Sequence, residues 1–174
     1  SAASDVYKRQ STPTPRDLEN DLDVWIIQIA LAESVAARLR KHGFKCKTVE
    51  ITVRDNGLYS FSRQIHLRQP TNIKNEIVTA AFQLFKDNYK WEHPIRSLGI
   101  RAADLVLDDI PVQLDLFGNQ EKKEKLEKLD RTVDEIRRRF GYFSIQRAAM
   151  YQNKVLSHLD AGTHTVHPHS YFHG

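Results

Sequence analysis

Two runs of alternating residues, joined by a three-residue turn, constrain this chain more than any other feature. In residues 46–54 (CKTVEITVR), Val49, Ile51 and Val53 point one way, and Thr48, Glu50, Thr52 and Arg54 point the other. Asp55-Asn56-Gly57 is a turn signal. Residues 58–68 (LYSFSRQIHLR) return with Phe61, Ile65 and Leu67 on one face and Ser62, Gln64, His66 and Arg68 on the other. The pattern predicts a hairpin with one greasy face and one wet, donor-rich face.

The flanking segments supply a cover for the greasy face. Thr14-Pro15-Arg16-Asp17 reads as a helix start, with Thr14 as cap, Pro15 at the first position and Asp17 at the positive end of the dipole. Leu18, Leu22, Trp25, Ile29, Ala32, Ala36 and Leu39 follow at helical spacing, and Gly43 suits the stop. Ile27 and Leu31 fall off that stripe, so this helix is expected to be covered on more than one side. A second helix is expected from Pro70-Thr71-Asn72, with Ile73, Ile77, Ala80, Ala81, Leu84 and Phe85 as its stripe, until Tyr89–Pro94 breaks it. Residues 95–101 (IRSLGIR) read as a third strand, with Leu98 and Ile100 inward and Ser97, Gly99 and Arg101 outward. Helix, strand, strand, helix, strand predicts an α+β fold: an antiparallel-rich sheet covered on one face by two helices.

Beyond Asp109 the character changes. Residues 110–117 (IPVQLDLF) read as extended, because Pro111 disfavours helix. Residues 120–140 form a charged amphipathic helix with Leu126, Leu129, Val133, Ile136 and Phe140, stopped by Gly141. It is too short for a coiled-coil seam, so packing against the domain is expected. Glu121, Glu124, Glu127, Asp134 and Glu135 offset Arg137, Arg138 and Arg139, which favours a solvated face over phosphate contact there.

The net charge of +4 is unevenly placed. Residues 1–43 carry 6 basic and 6 acidic side chains, residues 44–101 carry 10 and 5, and residues 102–174 carry 10 and 11. The excess lies in the segment that holds the predicted sheet, where a positive field would attract a polyanion. The longest apolar run, Val24 to Ala32, is broken by Gln28 and too short for a bilayer. A single cysteine, Cys46, excludes an internal disulfide framework and fits a reducing cytoplasm. Cys46 has no sequence-local histidine base, so it is not read as a nucleophile. His158, His164, His167, His169 and His173 lack cysteine or carboxylate partners at ligand spacing, so no metal site is expected. Trp25 and Trp91 read as packing residues.

The hairpin, second helix and third strand resemble a known family, as do LAESVAARLRKHGF, SRQIHL, PIRSLGIR, QLDLF and RRRFGYFSIQRA, in that order along the chain. Together they resemble the little-finger domain and C-terminal tail of Y-family translesion DNA polymerases of the UmuC/ImpB/MucB/DinB kind. That resemblance implies division into residues 11–109 (little finger), 110–119 (clamp-binding peptide), 120–150 (C-terminal helix region) and 151–174 (flexible tail). Residues 1–10 read as a foreign or disordered segment. The family's first strand is expected to be missing, with only STPTPRDL matching its end and one sheet edge open or filled by residues 1–10.

The resemblance further implies that the wet face lies along primer-template duplex. The candidate contacts are Lys47, Thr52 and Arg54, then Arg63, Gln64 and Arg68, then Arg96, Ser97 and Arg101. Gly99 would let the DNA backbone approach. Backbone and basic groups holding phosphates need not read sequence. Arg63 shares parity with Phe61 and Ile65, so a place at the sheet rim stays open for it. Gln113, Leu114, Asp115, Leu116 and Phe117 resemble the peptide by which bacterial polymerases bind the β sliding clamp, with Leu116 and Phe117 as apolar anchors. The family's palm domain, which holds two magnesium ions for nucleotidyl transfer, matches no segment here. No catalytic residue, cofactor or membrane partner is therefore expected in this chain. The expected role is duplex grip and clamp recruitment for a polymerase of DNA repair and SOS-type damage tolerance. The rivals are a stand-alone nucleic-acid-binding regulator and a protein that only occupies the clamp.

Overall fold

The computed structural model describes residues 10–109, 120–148, 150 and 156. Four strands make one sheet: β1 (Gln10–Leu18), β2 (Phe44–Asp55), β3 (Ser60–Thr71) and β4 (Ile95–Leu107). Three helices accompany them: α1 (Asp21–Lys41), α2 (Lys74–Asn88) and α3 (Gln120–Phe140), with a short 3-10 turn at Tyr142–Ser144. The strand order is β1-β4-β2-β3, with antiparallel pairing throughout. The α+β reading holds, with the two covering helices and the C-terminal helix all where the sequence places them.

The first strand is not missing. Gln10–Leu18 pairs with β4 from Gln10↔Ile100 to Leu18↔Ile95 and occupies the edge. Pro13 and Pro15 fit there, because an edge strand can spare the N–H groups they lack. The Thr14 hydroxyl donates to the Arg96 carbonyl (3.0 Å), tying the segment to β4 rather than capping a helix. Helix α1 starts later, with Asn20 as N-cap accepting from the Asp23 N–H (2.9 Å). The Arg16 guanidinium forks onto the Asp23 carboxylate with two 2.9 Å bonds and fixes the strand-to-helix corner. The 1–9 stretch lies outside the described residues.

Val49, Ile51, Val53, Leu98, Ile100 and Ala102 are buried beneath α1 and α2. Fifteen of the 21 residues of α1 are buried, so it is enclosed by the sheet, α2 and α3, as Ile27 and Leu31 foretold. Strand β4 runs on past Arg101 to Leu107 by pairing with the start of β2, from Thr48↔Ala103 to Phe44↔Leu107. Helix α2 begins at Lys74, slightly later than its sequence suggests. Thr71 turns the chain instead, its hydroxyl accepting from the Ile73 N–H (3.1 Å).

Helix α3 docks on this helical layer by charge more than by apolar burial. Its only buried residues are Asp130 and Val133. Asp130, 1% exposed, accepts from the Lys74 N–H (2.9 Å) and from Arg40 (3.2 Å). It thereby caps α2 from another helix, where the N-cap residue Ile73 offers no side-chain bond. Arg40 also clasps Asp134 (2.7 and 2.9 Å) and donates to the Asn72 carbonyl (2.7 Å). Glu33 receives Arg137 (3.0 Å) and Lys74 (3.4 Å). Arg137 is therefore not the solvated residue its neighbours suggested; only Arg138 and Arg139 are, both exposed and paired with Glu135. Gly141, at φ +95° and ψ 161°, ends α3 in an extended positive-φ conformation that glycine adopts freely. Among the described residues, no helix is long and apolar enough to cross a membrane.

Candidate nucleic-acid interface

Strand register assembles the polar face. Across β2 and β3 the pairs Glu50↔Gln64, Thr52↔Ser62 and Arg54↔Ser60 lie opposite the core. Across β2 and β4 they continue as Glu50↔Arg101, Thr52↔Gly99 and Arg54↔Ser97. Alternation then makes one strip across three strands from Thr52, Arg54, Gln64, Ser97 and Arg101. Arg54, Ser60, Ser62, Gln64 and His66 are exposed, and Thr52, Ser97 and Arg101 half-buried. The Thr52 and Ser62 hydroxyls meet at 3.3 Å, and Ser62 donates to the Ile51 carbonyl (3.1 Å). The helices α1 and α2 pack on the opposite, apolar side.

The remaining candidates divide. Arg68 is exposed two residues beyond His66 on β3. Lys47 is exposed beside a register shift between Cys46 and Thr48. Arg96 is exposed at a second irregularity, between the pairs Arg54↔Ser97 and Asp55↔Ile95, so simple alternation does not assign its face. Arg63 does not belong to the polar strip. Its partner is Ile51, and its guanidinium lies 5.4 Å from the centroid of Phe61. It sits at the rim of the core face on an edge strand, as its parity with Phe61 and Ile65 allowed. Gly99 is buried between Ser11 of β1 and Thr52 of β2.

The positive field is smaller than composition suggests. Of the ten basic residues in 44–101, Lys45 meets Glu127, Lys74 meets Glu33 and Asp130, Lys86 meets Asp21, and Arg101 meets Glu50 (3.4 Å). Lys47, Arg54, Arg68 and Arg96 have no carboxylate partner among the described residues. Two carboxylates, Glu50 and Asp104, stand on the polar side. Sequence reasoning gave no role to Asp104, because a left-handed backbone (φ +52°) turns it out of its strand parity. No local residue pattern signals that turn.

Other sequence readings are placed as follows. Cys46 is buried, and loss of hydration pushes its thiol up to about 12, which makes it a poor nucleophile. Trp25 packs edge-on against Phe82 (5.1 Å between centroids). Trp91 packs against Phe85 and Tyr89 and donates to Asp21 (2.8 Å). Among the described residues no group of histidine, cysteine and carboxylate side chains could hold a metal ion. The peptide Gln113–Phe117 and the tail histidines lie outside the described residues.

The sequence profile of the impB/mucB/samB family C-terminal domain matches residues 9–116. A DNA polymerase IV of Acetivibrio thermocellus is 41% identical over 149 residues, which are 86% of this chain and 37% of that protein. DNA polymerase IV 2 of Bacillus subtilis is 34% identical over 139 residues, 78% of this chain and 32% of that protein. This chain thus spans about a third of the length of these relatives. A solved structure titled a complex of the beta-clamp processivity factor and the little finger domain of PolIV is 13% identical. It covers 64% of this chain and 97% of the matched one, with a TM-score of 0.47.

Proposed function

The chain belongs to the impB/mucB/samB C-terminal-domain family, the little finger of Y-family polymerases, and from that premise we propose that its polar sheet face grips duplex DNA. The observation that carries the reading is the strip Thr52, Arg54, Gln64, Ser97 and Arg101, laid across three adjacent strands on the side opposite the helices. Hydroxyls, an amide and guanidinium groups on a broad sheet can hold phosphates on both strands of a duplex. They do so without base contacts, which suits a damaged template. The peptide Gln113-Leu114-Asp115-Leu116-Phe117 recruits a β sliding clamp, with Leu116 and Phe117 as its apolar anchors. Grip and tether together raise the effective concentration of a polymerase at the primer end, in DNA repair and SOS-type damage tolerance. Nucleotidyl transfer, and the magnesium it needs, belong to a catalytic domain outside this sequence. The cytoplasm is the compartment where such an enzyme meets bacterial DNA.

The test is a salt series of duplex affinity on several unrelated sequences. Binding should be micromolar or weaker, indifferent to sequence and steeply weakened by salt. Strong preference for one sequence would favour a regulatory module instead. Gln113→Ala with Phe117→Ala should abolish clamp binding and leave DNA affinity unchanged; clamp affinity that survives both removes the recruitment role. The second reading, a module that only occupies the clamp, draws support from the carboxylates of Glu50 and Asp104 on the polar face. Clamp binding without measurable DNA binding at low salt would establish it.

A further inference from the structure

One corner of the polar face holds three side chains in a chain of hydrogen bonds. Thr48 Oγ lies 2.5 Å from Asp104 Oδ2 and 2.7 Å from His66 Nδ1. Two backbone irregularities meet there: Asp104 at φ +52°, and the β2–β3 register shift between Cys46 and Thr48. A left-handed aspartate is uncommon and persists only where its surroundings hold it. Here it holds a carboxylate on a face otherwise suited to a polyanion.

The bonding order follows from donor count. An ionised carboxylate only accepts, so the single hydroxyl hydrogen of Thr48 goes to Asp104. Thr48 Oγ is then an acceptor toward His66, and Nδ1 must carry the hydrogen. In a neutral imidazole with hydrogen on Nδ1, Nε2 is a bare lone pair. The His66 side chain is 74% exposed. A lone pair repels a phosphate oxygen, whereas a protonated Nε2 donates to it and brings a positive charge.

We propose that His66 is a proton-switched phosphate ligand on the polar face, silent when neutral and engaged when protonated, with Thr48 fixing its tautomer. The proposal rests on the duplex-grip reading and names a regulation of that same face. Protonation also sets a positive ring 3.9 Å from Asp104, offsetting that carboxylate. The charged groups nearest the trio by strand position are Lys47 and Glu50 on β2, Arg101 on β4 and Arg68 on β3, with Glu50 and Arg101 paired. Histidine is the side-chain type that changes charge near neutral pH, so His66 supplies the switch.

The test compares duplex affinity of the chain at about pH 6 and about pH 8, at fixed ionic strength, for wild type, His66→Gln and Thr48→Val. Wild type should gain about three- to tenfold more affinity on acidification than His66→Gln does, since glutamine keeps a donor at either pH. The other seven histidines are common to both proteins, so the difference isolates His66. Thr48→Val should raise affinity at the higher pH, because Nε2 can then carry the hydrogen. Nitrogen-15 shifts of the His66 ring in DNA-free protein should show the hydrogen on Nδ1 at the higher pH. Equal pH ratios in wild type and His66→Gln, or a hydrogen on Nε2, would overturn the switch and leave the grip intact. Absence of duplex binding by any variant at either pH would overturn the grip itself, and the switch with it.

Discussion

The two sides of this molecule use the same charged residue types for opposite ends. On the helical side, Arg40, Glu33, Lys74, Asp130 and Arg137 are taken out of water and bonded to one another. On the polar side of the sheet, Arg54 is exposed and has no carboxylate partner among the described residues. A buried, paired arginine is committed to structure, because releasing it would strand a carboxylate in a dry site. An exposed, unpaired one keeps its donors for a ligand. Charge counts along the sequence cannot separate the two, and burial can.

The largest effect that would break this contrast lies on the helical side. Arg40→Ala leaves Asp130 buried without its guanidinium and should cost about 3–5 kcal/mol in denaturant unfolding. Asp130→Asn should cost far less. Burial pushes the Asp130 carboxyl up, against the pull of the Lys74 amide bond and the nearby Arg40 and Lys74 charges. An amide oxygen there can still accept from the Lys74 N–H. Equal losses for the two variants would show that the pair, not the stranded carboxylate, sets the energy.

Next in size is the polar side. Arg54→Ala should leave stability within about 0.5 kcal/mol of wild type. It should weaken duplex binding several-fold and reduce the salt slope by about one. Arg101→Ala should do both kinds of damage, because it also removes the partner of Glu50. Arg63→Ala sharpens the boundary: from the rim of the core face it should change affinity less than Arg54→Ala and leave the salt slope nearly unchanged. A loss equal to that of Arg54→Ala would extend the interface around the β3 edge.

The smallest effect concerns acid. Bonds from Lys86 and Trp91 hold the Asp21 carboxyl below its ordinary value of 3.8. Its contribution to stability is present above that value and lost as pH falls through the lower folded value. Asp130, raised instead, works in the opposite direction: its contribution is full below 3.8 and lost as pH rises through its folded value. Asp21 is partly exposed, so Asp21→Asn should flatten the acid limb by only a few tenths of a kcal/mol. A steeper change in the urea midpoint against pH would mean that this corner is drier than its exposure indicates.

The alternation in 46–54 and 58–68 made the hairpin and its two faces legible, because a period of two leaves a half-buried strand little choice. The helix stripes of α1 and α2 were legible for the same kind of reason. Strand β1 was misread because Thr-Pro followed by an acid fits a helix start locally, while its pairing with β4 is a long-range contact that local chemistry does not encode. The polar strip was legible in Thr52, Arg54, Gln64, Ser97 and Arg101. Arg63 lies off that strip, on the side that its parity with Phe61 and Ile65 gives it. Arg40, Asp130 and Asp104 were not legible as partners, since each finds its role across 56 or more residues of chain.

The most direct measurement is a titration of duplex DNA into nitrogen-15-labelled chain, read residue by residue. The account predicts shifts at Thr52, Arg54, Gln64, Ser97 and Arg101, and none at Glu33, Lys74 or Asp130. Shifts confined to the helical side, with the sheet face unmoved by saturating DNA, would contradict it.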